Sequence, residues 1–284
     1  MGSYISHLFD HHKKKETIME SEKHHLARRK RSRLIGIVVM IIEQMVSLLT
    51  NHWLFFVNGF FGALIVGALL APIFMELGWT GAGRLTYTIY SFTCHQLPER
   101  SYFFFTPQGV MTSYTKQEVI DDGADPRNVL TLRQYIGSPE MGWKAGFSDR
   151  MFSMYGGAFL GGVIYWLVSR KRLMNPIPIW LMILLVLPMV IDGTSHLISE
   201  ITSSGFRDSN EWAKPIFGAQ STLFYTGTTI GTLNSHLRLV TGLLFGLGTM
   251  LFAYPLIGYG FNDLAEEAQR MRIRNEVWSV NSQQ

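Results

Sequence analysis

Four long apolar stretches decide what this chain can become. They run Trp53–Met75, Met151–Val168, Ile177–His196 and Leu237–Ile257. Each is close to the ~20 residues that an α-helix needs to cross a bilayer. The expected fold is therefore all-α: a polytopic, multi-pass membrane protein with about four transmembrane helices. Composition agrees, because only 16% of the 284 residues are charged, against roughly 25% in soluble domains. The third stretch opens on Pro176 and Pro178, which a first helical turn tolerates, and carries Pro188 inside, where a kink is expected. A fifth run, Leu34–Leu49, is oily but short and holds Glu43 and Gln44.

Charge arbitrates that fifth run. Nine of the 25 Lys and Arg lie in the first 33 residues, in a tail that abuts apolar sequence. Such a tail suits anionic lipid at the inner membrane face rather than nucleic acid. It is too long and polar to be the basic region of a secretory signal. With four spans and the tail inside, the Arg170-Lys171-Arg172 turn and Arg270, Arg272 and Arg274 also fall inside, so fifteen of the 25 cations share one side. A fifth span would turn Arg170-Lys171-Arg172 outward, against the positive-inside tendency. Leu34–Thr50 is thus expected to lie along the headgroups as an interfacial helix anchored by the tail. His11, His12, His24 and His25 sit among the tail's cations; a solvated, poorly ordered arm is favoured over a metal-binding one.

The layout that follows is a basic cytoplasmic tail over 1–33, a membrane domain over 34–262 and a cytoplasmic C-terminal tail over 263–284. Two outer loops, 78–148 and 199–230, belong to the membrane domain. A short outer helix is expected around Leu85–Gln96 and an acidic, turn-rich passage at Gln117–Pro126. Tyr102–Phe105 and Trp143 read as an aromatic belt. Gly157-x3-Gly161 and Gly242-x3-Gly246 let helices approach closely, as internal contacts before dimerisation faces.

The first outer loop holds CHQLPERS at 94–101, with the only cysteine of the chain. A single cysteine excludes an intramolecular disulfide framework. Other polar groups gather at the same membrane level. Asp149 and Arg150 open the second span, and Asn234 and Arg238 open the fourth. Asp192 and His196, four apart and so on one helical face, close the third. The candidate polar cluster is therefore Cys94, His95, Gln96, Arg100, Asp149, Arg150, Asp192, His196, Asn234 and Arg238. Ionisable groups this near hydrocarbon are costly unless they pair or line a wet cavity, which makes them a functional hypothesis.

CHQLPERS, SDRMFSMYGG and PMVIDGTSH together resemble the prokaryotic membrane family known as domain of unknown function 2085. The resembling elements are CHQ-x-P-x-R-S, Arg-x4-Tyr-x-Gly at Arg150–Gly157 and Pro-x3-Asp-Gly at Pro188–Gly193. The resemblance runs roughly from Trp53 to Tyr254. It implies a multi-pass protein of the prokaryotic plasma membrane and no assigned activity. Many members of that family carry Cys-x-Arg-Cys where this chain has Ser148-Asp149-Arg150-Met151, so a thiolate-rich zinc or iron–sulfur site is not implied here.

Three functions compete. In one, Asp149, Arg150 and Asp192 form a buried ion-pair network, and the protein is a structural or accessory subunit of a larger membrane complex or a homo-oligomer. In a second, His95, Asp149, Asp192 and His196, with Cys94, hold Zn²⁺ and hydrolyse a membrane substrate. In the third, the same polar groups line a wet cavity of a small transporter or proton relay, although no inverted repeat is visible. If there is chemistry, Arg100 and Arg150 would bind an anionic group.

Overall fold

The apolar runs fold as helices, and so does much of what lies between them. A computed structural model describes the backbone of residues 2–170 and 174–281, and the side chains of these apart from 2–33, 35, 272 and 275–281. Among the described residues four helical portions are long and apolar enough to cross a membrane: Gly36–Glu76, Asp149–Ser169, Ile179–Ile201 and Leu233–Met271. The protein is a predominantly helical, multi-pass membrane protein.

Helix α1 covers Gly2–Glu76 with one break, at His52 (φ −123°, ψ 16°). The break falls between the segment expected along the headgroups and the first expected span. Helical backbone from Gly2 replaces the poorly ordered arm. Its Lys, Arg, Glu and Met residues are good helix formers. The side chains of His11, His12, His24 and His25, and Lys171 and Arg172 of the basic turn, lie outside the described residues.

Residues Leu54–Gly260 form one compact unit, and the helical segments ending at Trp53 and beginning at Phe261 form a second. In the second unit Trp53 stacks on Phe261 with centroids 5.6 Å apart. The first unit carries everything that follows.

Helix α2 (Thr80–Tyr90) is the short helix expected near Leu85, but it stops four residues before Cys94. The hydroxyls of Ser91 and Thr93 turn back to Thr88 O and Tyr90 O, at 2.7 and 3.1 Å, and compete with further helix. The acidic passage expected as turns contains α3 (Lys116–Asp121), started by a capping box between Thr115 and Glu118. A single turn, α4 (Val129–Leu132), is capped in the same way by Asn128.

The loop between the first two spans also builds a small antiparallel sheet, which the sequence reading did not contain. Strands β1 (Ser101–Thr106), β2 (Gly109–Thr112), β3 (Gly137–Ser138) and β4 (Gly142–Ser148) lie in the order β2-β1-β4-β3. Phe103 pairs with Thr112 on one side and Lys144 on the other. The aromatics read as a membrane belt are strand residues, a role aromatics fill equally well. Phe103 is buried against Tyr114, Val119, Leu132 and Met141, giving this cap its own apolar core.

Helix α5 (Asp149–Ser169) leaves the sheet directly from β4. Helix α6 (Ile179–Ile201) contains Pro188. Three single turns follow, α7 (Phe206–Ser209), α8 (Lys214–Phe217) and α9 (Thr222–Tyr225), before α10 (Leu233–Asn281). Helices α5 and α10 meet through glycine: a Cβ on Gly157 or Gly246 would run into Leu243 O or Met154 O. The small-residue motifs are thus used for contact within the chain.

Candidate functional site

The polar groups of the sequence converge where α5 and α10 begin and α6 ends. Asp149 is the first residue of α5 and only 3% exposed. An acidic side chain suits a helix N-terminus, and its Oδ1 accepts from Arg150 N at 2.7 Å. Its main partner is Arg238 in the first turns of α10. Arg238 Nε reaches both carboxylate oxygens at 2.9 and 2.7 Å, and an Nη reaches Oδ2 at 2.6 Å. Arg238 also donates to Thr228 O at 2.7 Å, which draws the loop before α10 into the same clamp.

Asp192, on the last turns of α6, is held from two sides. Arg150 donates to Oδ2 at 2.5 Å and Arg207 to Oδ1 at 2.6 Å. His196 lies 4.0 Å from the same carboxylate and 3.0 Å from Arg207 Nη2. A guanidinium offers only donors, so His196 Nε2 is the acceptor and the ring proton sits on Nδ1. Arg100 closes the ring of cations, binding Glu200 at the end of α6 at 2.6 Å.

The Cys-His-Gln turn is fastened to this rim. Cys94 is buried with Ala68, Tyr90 and Phe147. Its sulfur accepts from Gln96 N at 3.3 Å and Ser148 N at 3.5 Å. Gln96 takes a left-handed backbone (φ 50°), rare for a residue with a side chain. Its amide explains the strain: Nε2 donates to Tyr87 O and Gly146 O, both at 3.0 Å, stapling α2 to β4. The ring of His95 stands nearby. The protein packed around it, followed by the charges of Arg100 and Arg150, lowers its pKa from the ordinary histidine value, although the residue is exposed at the surface. Asn234 has a framework role, donating to Arg207 O and Gly227 O at 2.8 Å each.

Pairing differs from the expected network in one respect. Asp149 and Arg150 are neighbours on a helix and do not face each other, so each side chain finds its partner on another helix. Among the described residues no three His, Cys, Asp or Glu side chains come together to share a metal ion. His95, Asp149, Asp192, His196 and Cys94 are therefore not assembled as a Zn²⁺ site. Asp149 and Asp192 face guanidinium groups where a metal would have to stand. Arg207 and Thr228 belong to the cluster but were absent from the sequence reading. Arg207 is the one cation in the Ser-Ser-Gly-Phe-Arg-Asp-Ser run of a polar loop, and its isolation there was the available signal.

Comparison with known proteins supports the membrane assignment. The family model described as "Predicted membrane protein (DUF2085)" matches residues 141–252. The Uncharacterized protein MJ1492 of Methanocaldococcus jannaschii is 24% identical over 192 residues, covering 66% of this chain and 81% of that protein. No solved structure matches the chain. The matched range includes the Arg150–Gly157 and Pro188–Gly193 elements and the Asp149, Asp192 and Arg238 side chains, while CHQLPERS lies ahead of it. Over residues 141–252 this chain matches the DUF2085 family of predicted membrane proteins, the family its motifs resemble.

Proposed function

We propose that this protein is a structural membrane module, accessory to a larger membrane assembly, in which buried charge locks a folded cap onto a helix bundle. One observation carries the reading: both buried carboxylates, Asp149 and Asp192, are fully engaged by arginines from other elements. Removing one partner of such a pair costs about 3–5 kcal/mol, because the other is left buried and unpaired. The cap is bound to the same rim by neutral links, with Thr228 donating to Glu99 O at 2.9 Å and Ile230 N to Ser113 Oγ at 2.7 Å. No observation of comparable weight favours the hydrolase or the transporter.

In this reading the chain lies in a prokaryotic plasma membrane with the cap outside and both termini in the cytoplasm, since the basic segments then share the inner side. Two experiments test it. Cross-linking in native membranes is expected to trap a species well above the 32.3 kDa chain, and a chain that stays monomeric under all linkers contradicts the accessory role. Single cysteines placed in Cys94→Ala protein are expected to react with an impermeant thiol reagent at Gly123 and not at Ser169. The opposite pattern inverts the topology.

A further inference from the structure

The rim holds more cationic hydrogen-bonding capacity than its carboxylates consume. A cavity of about 100 Å³ lies under the Cys-His-Gln turn, with Thr93, His95, Arg100, Asp149, Arg150 and Arg238 in its wall. On this scale a single water needs roughly 10–15 Å³, so there is room for several waters or one small tetrahedral ion. Three of the lining arginines keep a buried N–H without a protein partner: Nε of Arg100, Nε of Arg150 and Nη1 of Arg238. Arg238 is the most telling, since the whole residue is 2% exposed. Buried donors are almost always satisfied, so each unpaired one calls for a partner.

The charge of the wall says which kind. Counting the partners just beyond the wall, Arg100, Arg150, Arg207 and Arg238 share three carboxylates, Asp149, Asp192 and Glu200, so these ion pairs keep one positive charge in excess, and both oxygens of Asp149 are already taken by Arg238. His95, with its low pKa, adds no charge at neutral pH. Helix α5 opens at the same cavity, and its N-cap residue Ser148 makes no side-chain cap bond. A helix N-terminus of this length adds positive potential. Glu99 Oε2 is also buried and unpartnered, but Glu99 is not in the cavity wall. Arg207 Nε is likewise unpaired and outside it.

We propose that this cavity binds a phosphate-type oxyanion, gripped by Arg100, Arg150 and Arg238. Guanidinium groups match tetrahedral oxyanions in charge and in the spacing of their N–H forks. The ion is either free phosphate or the headgroup of an anionic phospholipid. Phe92, 86% exposed beside Thr93, is an aromatic of the type found at headgroup level.

The test uses the full-length chain in neutral detergent. Thermal unfolding is followed with inorganic phosphate against chloride at equal ionic strength, and with phosphatidylglycerol against phosphatidylcholine in mixed micelles. Two variants accompany it. Arg100→Gln removes a cavity cation whose carboxylate partner is solvent-exposed, so the fold should survive. Glu200→Gln removes that partner and leaves the cation. One of the two anionic probes is expected to raise the midpoint of the native protein and of Glu200→Gln. The concentration needed should rise about tenfold or more in Arg100→Gln, the loss of a charged hydrogen bond. A response to phosphate identifies the free ion, and a response to phosphatidylglycerol alone identifies the headgroup. A midpoint that neither probe moves, or that moves equally in Arg100→Gln and the native chain, overturns the site.

Discussion

Arg238 at the head of α10 and Lys144 in β4 are both buried cations, 2% and 0% exposed, and they are held in opposite ways. Arg238 meets a carboxylate through several charged hydrogen bonds. Among the described residues Lys144 forms no ion pair with a carboxylate: its Nζ donates to Gln96 O at 2.8 Å and Arg133 O at 2.9 Å, both neutral carbonyls. Desolvation is therefore only partly offset, and it pushes the lysine pKa down to about 7. The rim is a region where charge answers charge. The cap is a region where backbone and amide groups do the work, through Gln96, through Lys144 and through the Tyr87 hydroxyl that donates to Lys144 O. The two regions should respond differently to lost charge, lost hydrogen bonds and pH.

The largest single effect belongs to the rim. Arg238→Met takes away the one arginine that clamps the buried Asp149, and should lower stability by about 3–5 kcal/mol in thermal or denaturant unfolding. A loss below about 1 kcal/mol would mean that Asp149 is satisfied without this clamp. In the cap, Gln96→Leu takes the amide donor from the carbonyls of Gly146 and Tyr87, the latter keeping its bond from Ser91 N, without touching a charge, at a cost of about 1–3 kcal/mol. If it matched the rim variants, the distinction between the regions would fail.

Lys144 sharpens the comparison through pH. Its folded pKa lies below its ordinary value of 10.5, so between pH 7 and about 10 the unfolded chain binds the proton that the folded chain has released. Stability should therefore rise with pH across that window, by up to about 1.4 kcal/mol per pH unit from this group. Below pH 7 both states are protonated and the contribution is flat. Lys144→Met should remove the rise; an unchanged slope in that variant would place its origin elsewhere. The smallest effect is expected at Cys94. Serine can still accept from Gln96 N and Ser148 N, so Cys94→Ser should cost under about 1 kcal/mol.

These contrasts also show which parts of the molecule the sequence exposed. The spans were legible because an unbroken apolar run of that length has few other outcomes. Asp149, Arg150, Asp192, His196 and Arg238 were legible as a group because each interrupts an apolar helix at the same end. Their pairing was not, since it depends on how α5, α6 and α10 rotate against one another. The sheet was hidden because Ser-Tyr-Phe-Phe-Phe-Thr satisfies a strand and a membrane interface equally well. Gln96 was visible only as part of a motif; that its amide holds α2 to β4 is a long-range fact with no local trace. Lys144 was hidden by its setting, a lone cation in Gly-Trp-Lys-Ala-Gly-Phe that local sequence reads as exposed.

The claim that buried charge locks the rim is tested most directly by a double-mutant cycle on Asp149 and Arg238, read by unfolding in detergent. Asp149→Asn and Arg238→Met should each be strongly destabilising, and the double variant should regain part of the loss, with a coupling of roughly 1–3 kcal/mol. Losses that add, leaving no coupling between the two side chains, would contradict the clamp.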